Sequence, residues 1–369
     1  MKPLLKLRRL WILLTIPAAF TLLFCASRIP GFAESYAEGP YSVLSHAGNF
    51  LSGLVPFSVG EILVYALAAL LLAAIVRFAV RMVRGTDRRG PAAVKFCINL
   101  LCLAGCLLFL FTVDCGVNYY RSTFAQTSGL TVTASQKAEL VRLCKTLSAD
   151  AGTLREQTES GEGGVTKLRS RAFAQNADKA RAALDSLSTK YPLLRPGYGA
   201  PKPVLASNAL SRCNITGMFF PFTFEANVNT DVPEYTIPFT MCHELSHLRG
   251  FMREDEANFI AYLACRNSAD ADFRYSGALE AFTYASNALF SADSAEAGKI
   301  YSSLSTGVRR DLQFNNNYWD RFKGPAADAA TSVNNSYLKA NSQADGVQSY
   351  GRMVDLLLAL QRSEDAKAK

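Results

Sequence analysis

The clearest chemical pattern in the chain is His243-Glu244-Leu245-Ser246-His247. Imidazoles at i and i+4 stand one above the other on a helix face, which is the geometry that binds one zinc ion through two nitrogens. The glutamate between them can reach a water activated by that ion. The 369-residue chain has only three histidines, and two of them fall in this frame. Such a site needs a third protein ligand and leaves a fourth position for water. The remaining histidine, His46, lies far upstream, so a carboxylate is the natural third ligand.

Gly250 can end the first helix, and a second helical pattern opens at Glu254-Asp255-Glu256. Glu254 shares its face with Ala257, Asn258, Ala261 and Cys265, small residues that let this helix approach the histidine helix closely. Glu256 shares its face with Phe259, Ile260 and Leu263, a bulky stripe suited to core packing. The contrast favours Glu254 as ligand, with Glu256 as the alternative. Asn258, one turn on, is then placed to hydrogen-bond the outer nitrogen of a ligating histidine. The acidic triplet also suits a plain solvated first turn, where carboxylates complement the helix macrodipole.

The elements that must position these residues are mainly helical. Amphipathic periodicity runs over residues 135–158 and 165–188, separated by Gly161, Gly163 and Gly164, and resumes over 239–267 and through much of the remainder to 352–361. Between 191 and 238 the texture changes to Pro, Gly, Asn and Thr with short aromatic or β-branched pieces at 218–220 and 235–237. That stretch predicts loops plus one or two short strands. Residues 224–229 can form an edge strand upstream of the histidines, along which an extended peptide could lie, or a plain loop held by Asn and Thr.

Upstream of all this, the apolar runs 10–27, 62–80 and 96–113 are each long enough, or nearly so, to cross a hydrocarbon core of about 30 Å. The first, with its basic start, resembles a signal peptide. Two further spans and the lack of a clear small-x-small site favour an uncleaved anchor. Arg77 lies late enough in the second run to snorkel to the interface. Hydrophobic residues make up 49% of the chain and charged residues 19%, which excludes a disordered chain. The net charge is +8, but residues 1–115 hold 11 Lys and Arg against 5 Asp and Glu, and residues 116–369 hold 28 against 26. The near balance of the second part disfavours nucleic-acid binding.

Lys2, Lys6, Arg8 and Arg9 precede the first run, and Arg81, Arg84, Arg88, Arg89 and Lys95 fall between the second and third, whereas residues 29–60 contain no Lys or Arg. The positive-inside rule then puts both basic segments in the cytoplasm and residues 116–369 outside it. The expected organisation is a membrane domain over 1–115 with three transmembrane helices, anchored in the lipid bilayer, and an extracytoplasmic domain over 116–369. Four of the nine cysteines, Cys144, Cys213, Cys242 and Cys265, would face an oxidising compartment, where one or two disulfides can form. No Cys-x-x-Cys pair occurs, and the sequence carries no oligomerisation signal.

The stretch ThrMetCysHisGluLeuSerHisLeuArgGlyPheMetArgGluAspGluAlaAsnPhe at 240–259 resembles the signature of a bacterial membrane-protein family catalogued as domain of unknown function family 3810. The likeness extends to ProPheSerValGlyGlu at 56–61, AsnTyrTyrArg at 118–121 and GlyMetPhePheProPheThrPheGluAlaAsnVal at 217–228. That family resembles zinc metallopeptidases, and the Glu-x-x-Ala-Asn piece at 254–258 is similar to an element of glutamate-zincins whose first Glu binds zinc. The resemblance implies His243, His247 and Glu254 as zinc ligands and Glu244 as the base. Six residues separate His247 from Glu254, fewer than is usual among those peptidases.

The expected fold is therefore mainly α: three N-terminal transmembrane helices, then a mostly helical zincin-like domain with a small β element. The expected function is peptide-bond hydrolysis by a zinc-activated water with Glu244 as general base, acting on a peptide or protein substrate. Tyr275, Tyr318 and Arg352 are candidates for the donor that stabilises the tetrahedral oxyanion. The alternative is a non-cleaving membrane sensor or scaffold whose zincin-like domain binds a peptide or partner. A purely structural zinc site fits less well, because such sites close all four positions and are rich in Cys.

Overall fold

The computed structural model describes residues 8–85 and 89–368. Lys2, Lys6 and Arg88, which carry part of the charge asymmetry, lie outside them. Among the described residues, three helices are long and apolar enough to cross a membrane: Leu10–Arg28, Val59–Arg84 and Arg89–Asp114. Their side chains face outward along most of their length, as expected of surfaces that meet lipid rather than protein.

In the first third the helices are α1 (Thr15–Arg28), α2 (Phe32–Tyr36), α3 (Ser42–Gly53), α4 (Val59–Arg84) and α5 (Arg89–Asp114). α5 lies against α1, with Gly105 close under Ile16, and against α4, where the Phe78 and Phe96 rings stack 4.4 Å apart. The remainder holds α6 (Phe124–Ser128), α7 (Lys137–Arg155), α8 (Phe173–Ser188), α9 (Ser207–Arg212), α10 (Ile237–Leu248), α11 (Glu254–Arg266) and α12 (Ala271–Ala292). It closes with α13 (Ser294–Ser303), α14 (Thr306–Asp320), α15 (Pro325–Ala340) and α16 (Met353–Lys367).

Two small sheets complete the fold. β1 (Glu159–Ser160) and β2 (Thr166–Lys167) form a hairpin around the glycine cluster, so the second amphipathic segment is helical only from Phe173. β3 (Lys202–Pro203), β4 (Gly217–Phe220) and β5 (Glu225–Val228) form a sheet in the order β3-β5-β4. β5 pairs parallel with β3 and antiparallel with β4, so the stretch expected at an edge is the central strand, and β4 is the edge. Residues 235–237 are not a strand either. A 3-10 turn at Glu234–Thr236 runs directly into α10, because Pro233 opens the turn and Pro238 is tolerated at the start of a helix.

One hydrophobic core runs from Tyr41 through the α7, α10, α11 and α12 interfaces to Leu360. The segment between the first two apolar helices is thus part of the main core. Lys202 and Glu225 form an almost fully buried ion pair at 2.6 Å, and Glu225 also accepts the Val59 amide at 3.0 Å and the Gly60 amide at 2.6 Å. The central strand therefore caps the first turn of α4.

A second buried charge joins more distant elements. Asp311, on α14 and fully buried, accepts from Arg155 Nε at 2.7 Å, Thr166 Oγ at 2.6 Å and the Tyr275 hydroxyl at 2.6 Å. Removing one partner of such a pair strands the other charge away from water. Asp311→Ala is expected to lower the unfolding free energy by about 3–5 kcal/mol, measured by denaturant titration of the detergent-solubilised chain. A loss below about 1 kcal/mol would show that Arg155 finds water instead.

Candidate metal centre

α10 is buried on nearly every side, between α8, α11, α12 and β5. That burial follows from an all-round apolar sequence, Ile237, Phe239, Met241, Leu245 and Leu248, interrupted by polar residues chiefly where the histidines and Glu244 fall. Gly250, at φ +85, ends the helix and turns the chain back, so that the Phe251 carbonyl lies 2.8 Å from His247 Nδ1. A carbonyl only accepts, so Nδ1 carries the proton and the Nε2 lone pair is left pointing inward.

α11 starts at Glu254, just beyond that turn and in contact with α10, and brings its carboxylate to the same lone pair. His247 Nε2 and His243 Nε2 are 3.0 Å apart, and Glu254 Oε2 lies 3.2 Å from His243 Nε2 and 3.5 Å from His247 Nε2. Ligand atoms about 2.0–2.1 Å from a tetrahedral zinc stand roughly 3.3 Å from one another. The triangle has the size of one face of such a site. Its three corners are electron pairs that repel unless a cation or a proton sits among them, so the residues present fit a metal ion. With protons alone, burial works against charge on His247, yet the Glu254 carboxylate outweighs it and lifts the pKa to about 9. Burial likewise opposes ionisation of Glu254, but the two imidazoles hold its carboxyl at about 2.

Glu244 is 3% exposed, and its Oε2 is buried with no hydrogen-bond partner. Burial pushes its pKa up, against the pull of both imidazoles and of the Phe219 amide. Strand β4 lies directly over it: a Cβ on Gly217 would stand 2.5 Å from Glu244 Oε1. Only glycine lets the strand pass this close.

Glu256, the alternative ligand, faces elsewhere. It accepts the Phe124 amide at 2.9 Å and Arg253 Nη1 at 2.8 Å, and so ties α11 to the segment that follows α5. Asn258 does not meet a histidine; its Nδ2 donates to the Tyr284 hydroxyl at 3.2 Å, because the Gly250 turn has already supplied Phe251 to His247. The three oxyanion candidates have other partners. Tyr275 donates to Asp311, Tyr318 bonds Ser211 and Asp231, and Arg352 pairs with Asp345 and Asp255. His46 stacks on Tyr198, with ring centroids 3.9 Å apart.

Two groups near the centre carried no spacing signal. Glu280, on α12, is a carboxyl lifted to about 7 by burial, with His243 as its neighbouring charge. Tyr350 is the tyrosine whose hydroxyl feels both Glu254 and Glu244, and burial, with those two carboxylates, raises its pKa. Neither belongs to a motif. No disulfide joins any cysteine among the described residues.

Residues 36–358 match the family model described as "Protein of unknown function (DUF3810)", and the chain belongs to that family. No curated protein and no solved structure matches the chain.

The two glutamates of α11 predict different outcomes. Glu254→Gln is expected to weaken zinc affinity at least about 100-fold, read as metal per chain after dialysis of the purified full-length protein. Glu256→Gln is expected to keep the metal and lose stability instead. Metal loss with Glu256→Gln and retention with Glu254→Gln would reverse the assignment.

Proposed function

We propose that the chain is a membrane-anchored zinc metallopeptidase that hydrolyses peptide bonds outside the cytoplasm, with three transmembrane spans. His243, His247 and Glu254 hold the metal in this reading, and Glu244 is the general base. The observation that carries it is the convergence of three lone pairs within 3.5 Å of one another beside a buried carboxylate that has a free oxygen. The distribution of Lys and Arg around the apolar helices supports the side assigned to the large domain.

The chemistry that a zinc ion held there supplies is polarisation of the scissile carbonyl and acidification of water toward neutral pH. Glu244 takes the proton from the attacking water and returns it to the leaving nitrogen. A carboxyl whose pKa is raised by burial suits both halves of that transfer. The edge of β4 away from β5 pairs with no other strand among the described residues and offers backbone groups to an extended peptide laid beside Glu244.

The near-complete cover over Glu244 favours one second reading, a zincin-like domain that binds a peptide or partner without cleaving it. Zinc analysis of the full-length protein together with a mixed peptide library separates the two. One zinc per chain, with cleavage that Glu244→Gln reduces at least about 100-fold while zinc is kept, supports the peptidase. Zinc without cleavage supports the binding role, and no zinc under metal-replete conditions sinks both.

A further inference from the structure

Helix α3 is amphipathic the wrong way round for a protein surface. Its polar stripe, Ser42, Ser45, Asn49 and Ser52, is buried, and its apolar stripe faces out: Val43 is 71% exposed, Phe50 69%, Leu51 65% and, just past the helix end, Leu54 68%. The inward face is firmly held. Ser45 Oγ lies 2.8 Å from the Tyr198 hydroxyl, Asn49 Nδ2 donates to the Phe224 carbonyl at 2.7 Å, and the Gly199 amide donates to Asn49 Oδ1 at 2.6 Å. The apolar stripe therefore cannot roll inward, and a water-facing role would leave it uncompensated.

What covers it follows from its position. The exposed stripe runs on through Leu54 and Phe57, next to Ser58, the buried N-cap of α4, so it adjoins a helix long and apolar enough to cross a membrane. Leu205, 72% exposed, joins the same edge, because Glu61 in the first turn of α4 accepts its amide at 2.8 Å. No Asp, Glu, Lys or Arg falls between residues 39 and 60, so no charged side chain along α3 or its continuation opposes contact with hydrocarbon. A helix with a strong apolar face and no room to span lies in the plane of the interface.

We infer that α3 is an interfacial membrane helix, with Val43, Phe50, Leu51 and Leu54 seated in the lipid at the level where α4 enters the bilayer. It holds the domain flat against that surface. Tyr41, just before α3, donates to the Leu248 carbonyl at 3.1 Å, and Cys115, the residue after α5, has its thiol 3.6 Å from Met252 Sδ. The turn between the two ligand helices is thereby fixed at the membrane face. The inference rests on membrane association of the apolar helices and is independent of peptide hydrolysis.

The test is tryptophan quenching in the full-length chain, with Trp11 and Trp319 replaced by Phe, reconstituted in phosphatidylcholine nanodiscs. Phe50→Trp is the primary probe, and Val43→Trp repeats the measurement should the first fail to fold. Lipid brominated on the acyl chain near the headgroup is expected to cause about a two-fold loss of fluorescence, since such faces sit roughly 5–10 Å into the interface. Aqueous iodide is expected to have little effect. Strong quenching by iodide with none by brominated lipid would overturn the inference. Quenching by neither, with a dimer on cross-linking, would overturn it in favour of a second copy of this chain.

Discussion

The structure is organised around keeping three electron pairs together in a place with little water. His243, His247 and Glu254 would separate if their backbones were free to relax, and the fold holds them from two directions. The first two share a helix that is buried nearly all round, and the third opens a second helix packed against it. The sharp turn at Gly250 joins them and presents the Phe251 carbonyl, which fixes the His247 tautomer. The same few residues thus set the distance, the direction and the protonation state of the ligand atoms.

Around that centre, identical side chains take different characters from their neighbours. Glu254 is pulled toward the ionised form by imidazoles, although burial opposes it. Glu244, as buried and more weakly partnered, is pushed toward the neutral form, and Glu280 is pushed the same way. Glu256 accepts an amide and a guanidinium on one oxygen, and Glu225 caps a helix. These carboxyl groups divide between ionised, neutral-leaning and fastening states, and the division is made by contacts rather than by residue type.

The parts legible in the sequence are those set by local spacing. Apolar run length marks the three long helices, and a four-residue interval places two imidazoles on one face. The contrast of faces on α11 distinguishes Glu254 from Glu256 because the first meets the histidines of α10 and the second turns to the Phe124 amide. What spacing missed depends on long-range pairing. β5 lies inside its sheet only because Lys202 and Pro203, well upstream in the chain, run parallel to it. Tyr275, Tyr318 and Arg352 look available in the sequence, yet Asp311, Asp231 and Asp345 engage them in the fold. The α3 segment reads as a connector between spans, since its burial is inverted relative to the usual pattern.

The Glu225 cap gives the metal centre a mechanical dependence. A single carboxylate binds the first two amides of α4 and the ammonium of Lys202, so the head of that long helix and the sheet move as one piece. At the other end of the lever, β4 lies against Glu244 with no space to spare at Gly217. Helices longer than the hydrocarbon is thick respond by tilting. In a bilayer that α4 crosses, a tilt of that helix would reach the strand over the carboxylate through this cap, with no slack linker between them to absorb it.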